Sequence, residues 1–191
     1  MPKLVDVAER RDLIVDAVMT VLAAHGAEGI TIRLVSRQAG VSPGLLHHYF
    51  PGGKTELLHA AVSAAVERGT RRMLDVLDDR TGLDAIRAVA LELLPVTSSR
   101  RLEWSAWVAL MGSTLTDPVL NAEQRDRLNG WRTVLQTLLE QAELPGIDAP
   151  SVALRLAGLL DGLGLHSLMD PNLLTPARLA AEVDAFLGTL Q

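Results

Sequence analysis

The stretch from Thr31 to Lys54, TIRLVSRQAGVSPGLLHHYFPGGK, restricts the fold more than any other part of this 191-residue chain. Ile32, Leu34, Val35 and Ala39 fall on one helical face. Gly40 ends that helix, because glycine takes a left-handed backbone at a helix C-terminus at little cost. Val41 is a buried-type residue in the turn, and Ser42 can cap a second helix through its hydroxyl. Pro43 suits the first helical position, where no amide donor is needed. The second helix, Gly44 to Tyr49, is very short. Helix, glycine-bearing turn and short helix make a helix-turn-helix.

Charge supports a nucleic-acid reading of this motif. Thr31 to Lys54 contains no Asp or Glu, but it holds Arg33, Arg37, Lys54, His47 and His48, and it closes on Tyr49 and Phe50. The second helix of such a motif can lie in the DNA major groove. Thr31 is the expected cap of the first helix and a phosphate donor, and Ser42 combines the same two roles. Pro43 and Gly44 open the second helix, and Gly44 has no side chain to keep a groove wall away. Arg33 can reach phosphate or a guanine edge, Leu45 can rest on a thymine methyl, and His47 and His48 can donate to phosphate. Tyr49 can pack its ring and still offer its hydroxyl, while Lys54 can clamp a phosphate. Leu46 and Phe50 read as core.

The run T-x-R-x-(aliphatic)-(small)-x-x-A-G-V-S-x-G-x-(aliphatic)-x-x-Y-F-x-x-K, from Thr31 to Lys54, resembles the TetR family of bacterial repressors. The resemblance implies a three-helix DNA-binding head on a larger, ligand-binding and dimerising body. It implies a phosphate contact for Lys54. Against the family pattern, Leu45 stands where a small or hydroxyl residue is common, and His47 where tyrosine is frequent. Both departures bear on the operator sequence that is read.

Almost no segment alternates with period two, and helix punctuation recurs throughout, so the chain reads as all-α with about nine helices. The expected order is helix 1 from Val5 to His25, with Leu13, Ile14, Ala17, Val18, Val21 and Leu22 inward, and then the helix-turn-helix. A long helix follows from Gly53–Lys54 to Asp78–Asp79. Another starts at Thr81–Gly82 and is closed by Pro95. The next carries Trp104, Trp107, Val108, Met111 and Leu115. One capped by Asp117–Pro118 runs to Gln141 with Leu128, Trp131, Leu135 and Leu138 inward. After a loop to Pro150 come an apolar helix from Ser151 to Met169 and a last one from Thr175–Pro176. The domain division expected is 1–52 for the DNA-binding head and 53–191 for the ligand-binding and dimerisation body.

Gly158, Gly162 and Gly164 each cost a helix about 1 kcal/mol relative to alanine, which is understandable where another helix packs closely. With Leu165, Val183 and Phe186 they mark the last two helices as the dimer face, since one helix-turn-helix reads too little DNA and a twofold pair reads a palindrome. The alternative for these glycines is close packing inside the chain. Trp104, Trp107 and Met111 share a helical face, and with Met73, Trp131, His166 and Met169 they form the candidate effector pocket. The alternative is that they only fill the core. The W-x-x-W helix, the D-P start, Trp131 and the run Leu160-Asp161-Gly162-Leu163-Gly164-Leu165-His166 resemble the BetI-like branch of the family. That branch includes regulators responsive to choline. A quaternary ammonium or other apolar compound is therefore the expected effector, with Glu103 or Asp161 as counter-charge to a cation.

Other functions fit poorly. The chain has no cysteine, which excludes disulfides, thiolate metal sites and cysteine nucleophiles. Gly40-Val41-Ser42-Pro43-Gly44 imitates a nucleophile elbow, but a helix precedes the serine and Pro43 lacks the amide needed for an oxyanion hole. Gly53-Lys54-Thr55 imitates the end of a P-loop, but His48 stands where that motif needs glycine. No catalytic residue, metal or cofactor is expected. The net charge of −5 argues against indiscriminate nucleic-acid coating. Residues 1–54 carry six Lys/Arg against five Asp/Glu, and residues 55–191 twelve against eighteen, so the N-terminal end is the one suited to approach DNA. No apolar run reads as a membrane span and the N-terminus is too charged for a signal peptide, so the cytoplasm is expected. The second reading left open is a helical ligand- or partner-binding protein that does not use its DNA head.

Overall fold

The computed structural model describes residues 7–191, and the described residues form nine helices and no strand. They are α1 (Val7–His25), α2 (Ile32–Ala39), α3 (Pro43–Tyr49), α4 (Gly53–Leu77), α5 (Gly82–Glu92), α6 (Ser98–Thr114), α7 (Pro118–Gln141), α8 (Ala149–Met169) and α9 (Pro176–Gly188). The expected start of helix 1 at Val5 lies outside the described residues. Most boundaries follow from local chemistry. Asp117 Oδ1 accepts from the amides of Val119 at 2.9 Å and Leu120 at 3.2 Å, with Pro118 in the first turn. Thr175 Oγ1 accepts from Arg178 N at 3.3 Å ahead of Pro176. One boundary differs from expectation: α8 begins at Ala149, so Pro150 belongs to its first turn, where its missing amide costs nothing.

The chain divides into two compact units, and α4, α6 and α7 each contribute to both. The first unit takes the chain up to Ala65 together with Ser105–Asn121. Its core joins Ile14, Val18 and Leu22 of α1 to Val35, Leu46, Phe50, Leu57, Leu110 and Leu120. Within α1, Val15 and Met19 are buried, whereas Leu13, expected inward, is 42% exposed. The apolar stripe is rotated by about one position because α1 packs along α2.

The second unit takes Val66–Trp104 and Ala122–Gln191. Its core is built from Met73, Ile86, Val89, Leu94, Leu135, Leu139, Val152, Leu156, Leu160, Leu179, Val183 and Leu187. Each such side chain contributes about 1.5–3 kcal/mol on burial. Two large rings are seated against glycines. A Cβ on Gly69 of α4 would lie 2.7 Å from the Trp131 ring, and one on Gly164 of α8 would lie 2.2 Å from the Trp104 ring. Leu128, expected inward on α7, is instead 40% exposed, as is Leu115 beyond the end of α6 at 77%.

One expectation about membranes is corrected. α8 is long and apolar enough to cross a bilayer by length and composition, although no such run was anticipated. Its Val152, Ala153, Leu156 and Leu160 sit in the core of the second unit, and only 33% of its most apolar window is buried within the chain.

Candidate nucleic-acid interface and ligand-binding unit

Local hydrogen bonding presents the motif from Thr31 to Lys54 outward. Thr31 is extended (φ −136°, ψ 149°), and its Oγ1 accepts from Leu34 N at 3.2 Å. Gly40 has φ 64° and ψ 32°, a left-handed geometry, and Val41 N donates across it to Ser36 O at 3.0 Å. A side chain at Gly40 would strain that turn. Ser42 then caps α3, its Oγ accepting from Leu45 N at 3.1 Å with Pro43 in the first turn. Both capping hydroxyls use an acceptor pair inward, so each keeps its proton to donate.

Burial sorts the motif into two sides. Val35, Leu46 and Phe50 are fully buried, which pins α2 and α3 to the unit. Thr31, Arg33, Ser42, Pro43, Gly44, Leu45, His47, His48 and Lys54 are exposed, and Tyr49 is half-buried. The ten side chains assigned to DNA from the sequence therefore lie at or near the surface. His48 meets the Tyr49 ring edge-on at 5.6 Å. Gly52 N donates to Glu56 Oε2 at 2.8 Å, which anchors the turn leading to Lys54.

Arg11 was missed from sequence. Its guanidinium lies 4.4 Å over the Phe50 ring, and its Nη1 donates to Tyr49 O at 3.3 Å. A cation thus sits on the last carbonyls of the short helix, where the helix dipole favours it. Only spatial proximity across 38 positions could reveal this pair; no local pattern marks it.

The residues assigned to the effector pocket are divided between the two units. Met73, Trp104 and Trp131 belong to the second unit, whereas Trp107 and Met111 belong to the first. Met73 is buried in the core, and Trp104 Nε1 donates to Leu93 O at 3.0 Å. Trp131 Nε1 is buried without an acceptor. His166 is exposed and Met169 is 73% exposed. Neither is enclosed by the unit, because both lie on the outward side of the last turn of α8.

Charges in the second unit pair internally. Arg72 forks onto Glu103 at 3.1 and 2.7 Å and also lies 3.5 Å from Glu92, which takes Arg100 at 3.1 Å. Asp161 lies within electrostatic reach of Arg127. Burial pushes the Asp161 carboxyl above the ordinary range against the pull of Arg127, and burial draws the Arg127 guanidinium down to about 10. The expectation that Glu103 stands ready to balance a cationic ligand is corrected, because Arg72 already holds it in a two-pronged ion pair.

The expected dimer residues divide likewise. An added Cβ at Gly158 or Gly162 would meet nothing within 4 Å, so both are open on the chain's own surface. Leu165 and Phe186 are half-buried. Val183 is wholly buried in the chain's own core and so stands behind that surface, not on it. Gly164 is occupied from within by Trp104.

A capped, outward-facing helix-turn-helix without acidic residues, carried with a second helical unit, defines a DNA-binding regulator of the helix-turn-helix class. Comparison with known proteins agrees. Residues 14–61 match the model for bacterial regulatory proteins of the tetR family, and residues 82–191 match that for the C-terminal part of BetI-type transcriptional repressors. The chain belongs to the TetR family of transcriptional regulators.

Its relatives include the HTH-type transcriptional regulator PksA of Bacillus subtilis (strain 168), 31% identical over 174 residues, which are 90% of this chain and 84% of that protein. BetI of Serratia proteamaculans (strain 568) is 30% identical over 173 residues, 88% of this chain and 86% of BetI. Among solved structures, a transcriptional regulator from Rhodococcus sp. RHA1 superposes with a TM-score of 0.84 at 29% identity, covering 94% of this chain and 95% of that one. A regulator from Saccharomonospora viridis in complex with choline shares the fold, with a TM-score of 0.86 at 22% identity and coverage of 95% and 96%.

Proposed function

We propose that this regulator is a homodimeric repressor of a palindromic operator, released when a small molecule binds its second unit. The observation that carries the DNA contact is the exposed set from Thr31 to Lys54, with Arg33 and Lys54 as phosphate clamps and Ser42, Gly44, Leu45, His47 and His48 facing the groove. In domain terms, 1–52 is the DNA-binding part and 53–191 the ligand-binding and dimerising part. The protein acts in the cytoplasm, where its double-stranded operator is.

Support for the dimer comes from α8 and α9. Leu154 is 59% exposed on α8, Gly158 is exposed one turn further on, and Ala177, Ala181 and Ala185 are exposed on α9, which packs against α8. Small residues let a second pair of helices approach closely, and a twofold axis gives the two heads a fixed spacing. The choline complex of the Saccharomonospora protein supports a small-molecule site in this fold. The effector must prefer the arrangement that cannot bind DNA, and that preference sets the size of the response.

Selection of bound genomic fragments followed by a mobility shift tests the reading, with binding to a palindrome as the expected result. Replacing Arg33 and Lys54 together by alanine should lower the slope of log affinity against log salt by about one per lost phosphate contact. An unchanged slope would remove both residues from the interface.

A further inference from the structure

This inference rests on the reading that a small molecule in the second unit releases DNA, and it locates the step between the two events. We propose that the Trp131 ring, seated on Gly69 of α4, is the contact through which the second unit sets the position of α4 and so of the DNA-reading end.

Gly69 stands inside a 25-residue helix, where glycine is costly relative to alanine. The ring accounts for it. A Cβ at Gly69 would lie 2.7 Å from the outermost carbon of the Trp131 ring and 3.1 Å from the next. One turn on, Arg72 forks onto Glu103 of α6 and lies 3.5 Å from Glu92 of α5. Charge thus ties α4 to α5 and α6 within a turn of the point where α7 presses on it.

The second tryptophan–glycine seat shows what distinguishes the first. Trp104 closes on Gly164, and its Nε1 donates to Leu93 O at 3.0 Å, which fixes the ring. Trp131 Nε1 is buried with no acceptor among the described residues. A buried donor left unmet raises the free energy of the pose that holds it. A turn of the Trp131 ring towards an acceptor, or an acceptor brought to it, releases that cost. Close-packed contacts of this kind switch between discrete arrangements. The helix under the ring is shared by both units: residues 53–65 of α4 belong to the first and 66–77 to the second. A shift at Gly69 is therefore carried towards Lys54 along one unbroken helix.

Hydrogen exchange of the free full chain, and operator affinity per active molecule, test the inference in three variants. They are Gly69→Ala, Gly69→Ala in a Trp131→Phe chain, and Gly164→Ala. Phenylalanine keeps a ring but lacks the two carbons that meet Gly69. Gly164→Ala makes a comparable clash against the fixed ring and away from α4, so it reports plain destabilisation. Gly69→Ala should speed amide exchange at residues 53–65 by about fivefold or more. It should lower operator affinity about tenfold with an unchanged salt slope, because it depletes the DNA-competent arrangement without removing a phosphate contact. In the Trp131→Phe chain the same change should alter either reading by less than about threefold, and Gly164→Ala should stay within that margin of wild type. The inference is overturned if Gly69→Ala unfolds the chain or leaves exchange changed only within residues 66–77. It is equally overturned if Trp131→Phe gives no relief, or if Gly164→Ala has as large an effect. A wild-type chain that binds no operator would refute the regulatory reading instead, and the exchange comparison would still decide this one.

Discussion

Arg11 holds the end of the recognition helix from outside it. Its guanidinium covers Phe50 and bonds to Tyr49 O, so it orients α3 without belonging to the motif. Arg11→Ala forfeits a cation–π contact of about 0.5–1 kcal/mol and the charge at the C-terminus of α3. Operator affinity should fall several-fold with an unchanged salt slope, because a positioning role releases no counterions. A slope reduced by about one in mobility shifts at several salt concentrations would make Arg11 a phosphate contact instead. The motif itself was legible in the sequence because its caps act within a few residues: Thr31 on Leu34 N, Ser42 on Leu45 N, and Gly40 at φ 64°. Arg11 was not, because its partners lie 38 and 39 positions away.

At the level of elements, Arg127 of α7 and Asp161 of α8 act on each other electrostatically. Burial raises the folded-state pKa of Asp161 above its unfolded value. Its contribution to stability is therefore complete below the ordinary carboxylate range and is lost as pH rises through the folded value. Arg127 is depressed to about 10, so stability from its neutral form begins to appear as pH rises past about 10 and is complete only above the ordinary guanidinium range. At neutral pH both groups are costs. Arg127→Met or Asp161→Leu alone should destabilise by about 3–5 kcal/mol, while the double variant should recover wild-type stability or exceed it. Its melting-temperature advantage should shrink as pH falls towards the range where Asp161 takes its proton. A double variant no better than the singles would show that the pair stabilises the fold.

The glycines of α8 differ in the same physical terms. Gly164→Ala would drive a Cβ into the Trp104 ring, so a net loss of about 1–2 kcal/mol is expected, seen as a fall in Tm of about 2–8 °C. Gly158→Ala meets no such obstacle, and an equal loss there would contradict this packing.

For the whole molecule, DNA reading depends on two copies. The most apolar helix, α8, has only 33% of its apolar window buried by its own chain, and Leu154 and Gly158 are among its exposed residues. Leu154→Arg places a charge in the proposed subunit contact. The variant should elute as a monomer and lose roughly 100-fold or more in operator affinity, since a single head makes too few contacts. Dimeric elution with intact binding would move the interface elsewhere. That α8 is apolar nearly all round indicates burial on more than one side, but it could not say which side is covered by the same chain.

The sequence by itself determined the helices, their caps and the DNA-reading face, because capping and helical periodicity are local and act over three or four residues. It also carried the family, through the spacing from Thr31 to Lys54 and the BetI-like C-terminal half. Tertiary structure alone decided which glycine seats a ring, that Val183 lies in the chain's own core, and that Arg72 already occupies Glu103. Those outcomes depend on which side chains meet across long stretches of sequence, and a helical pattern shows only that a side is apolar or charged, not what comes to rest against it.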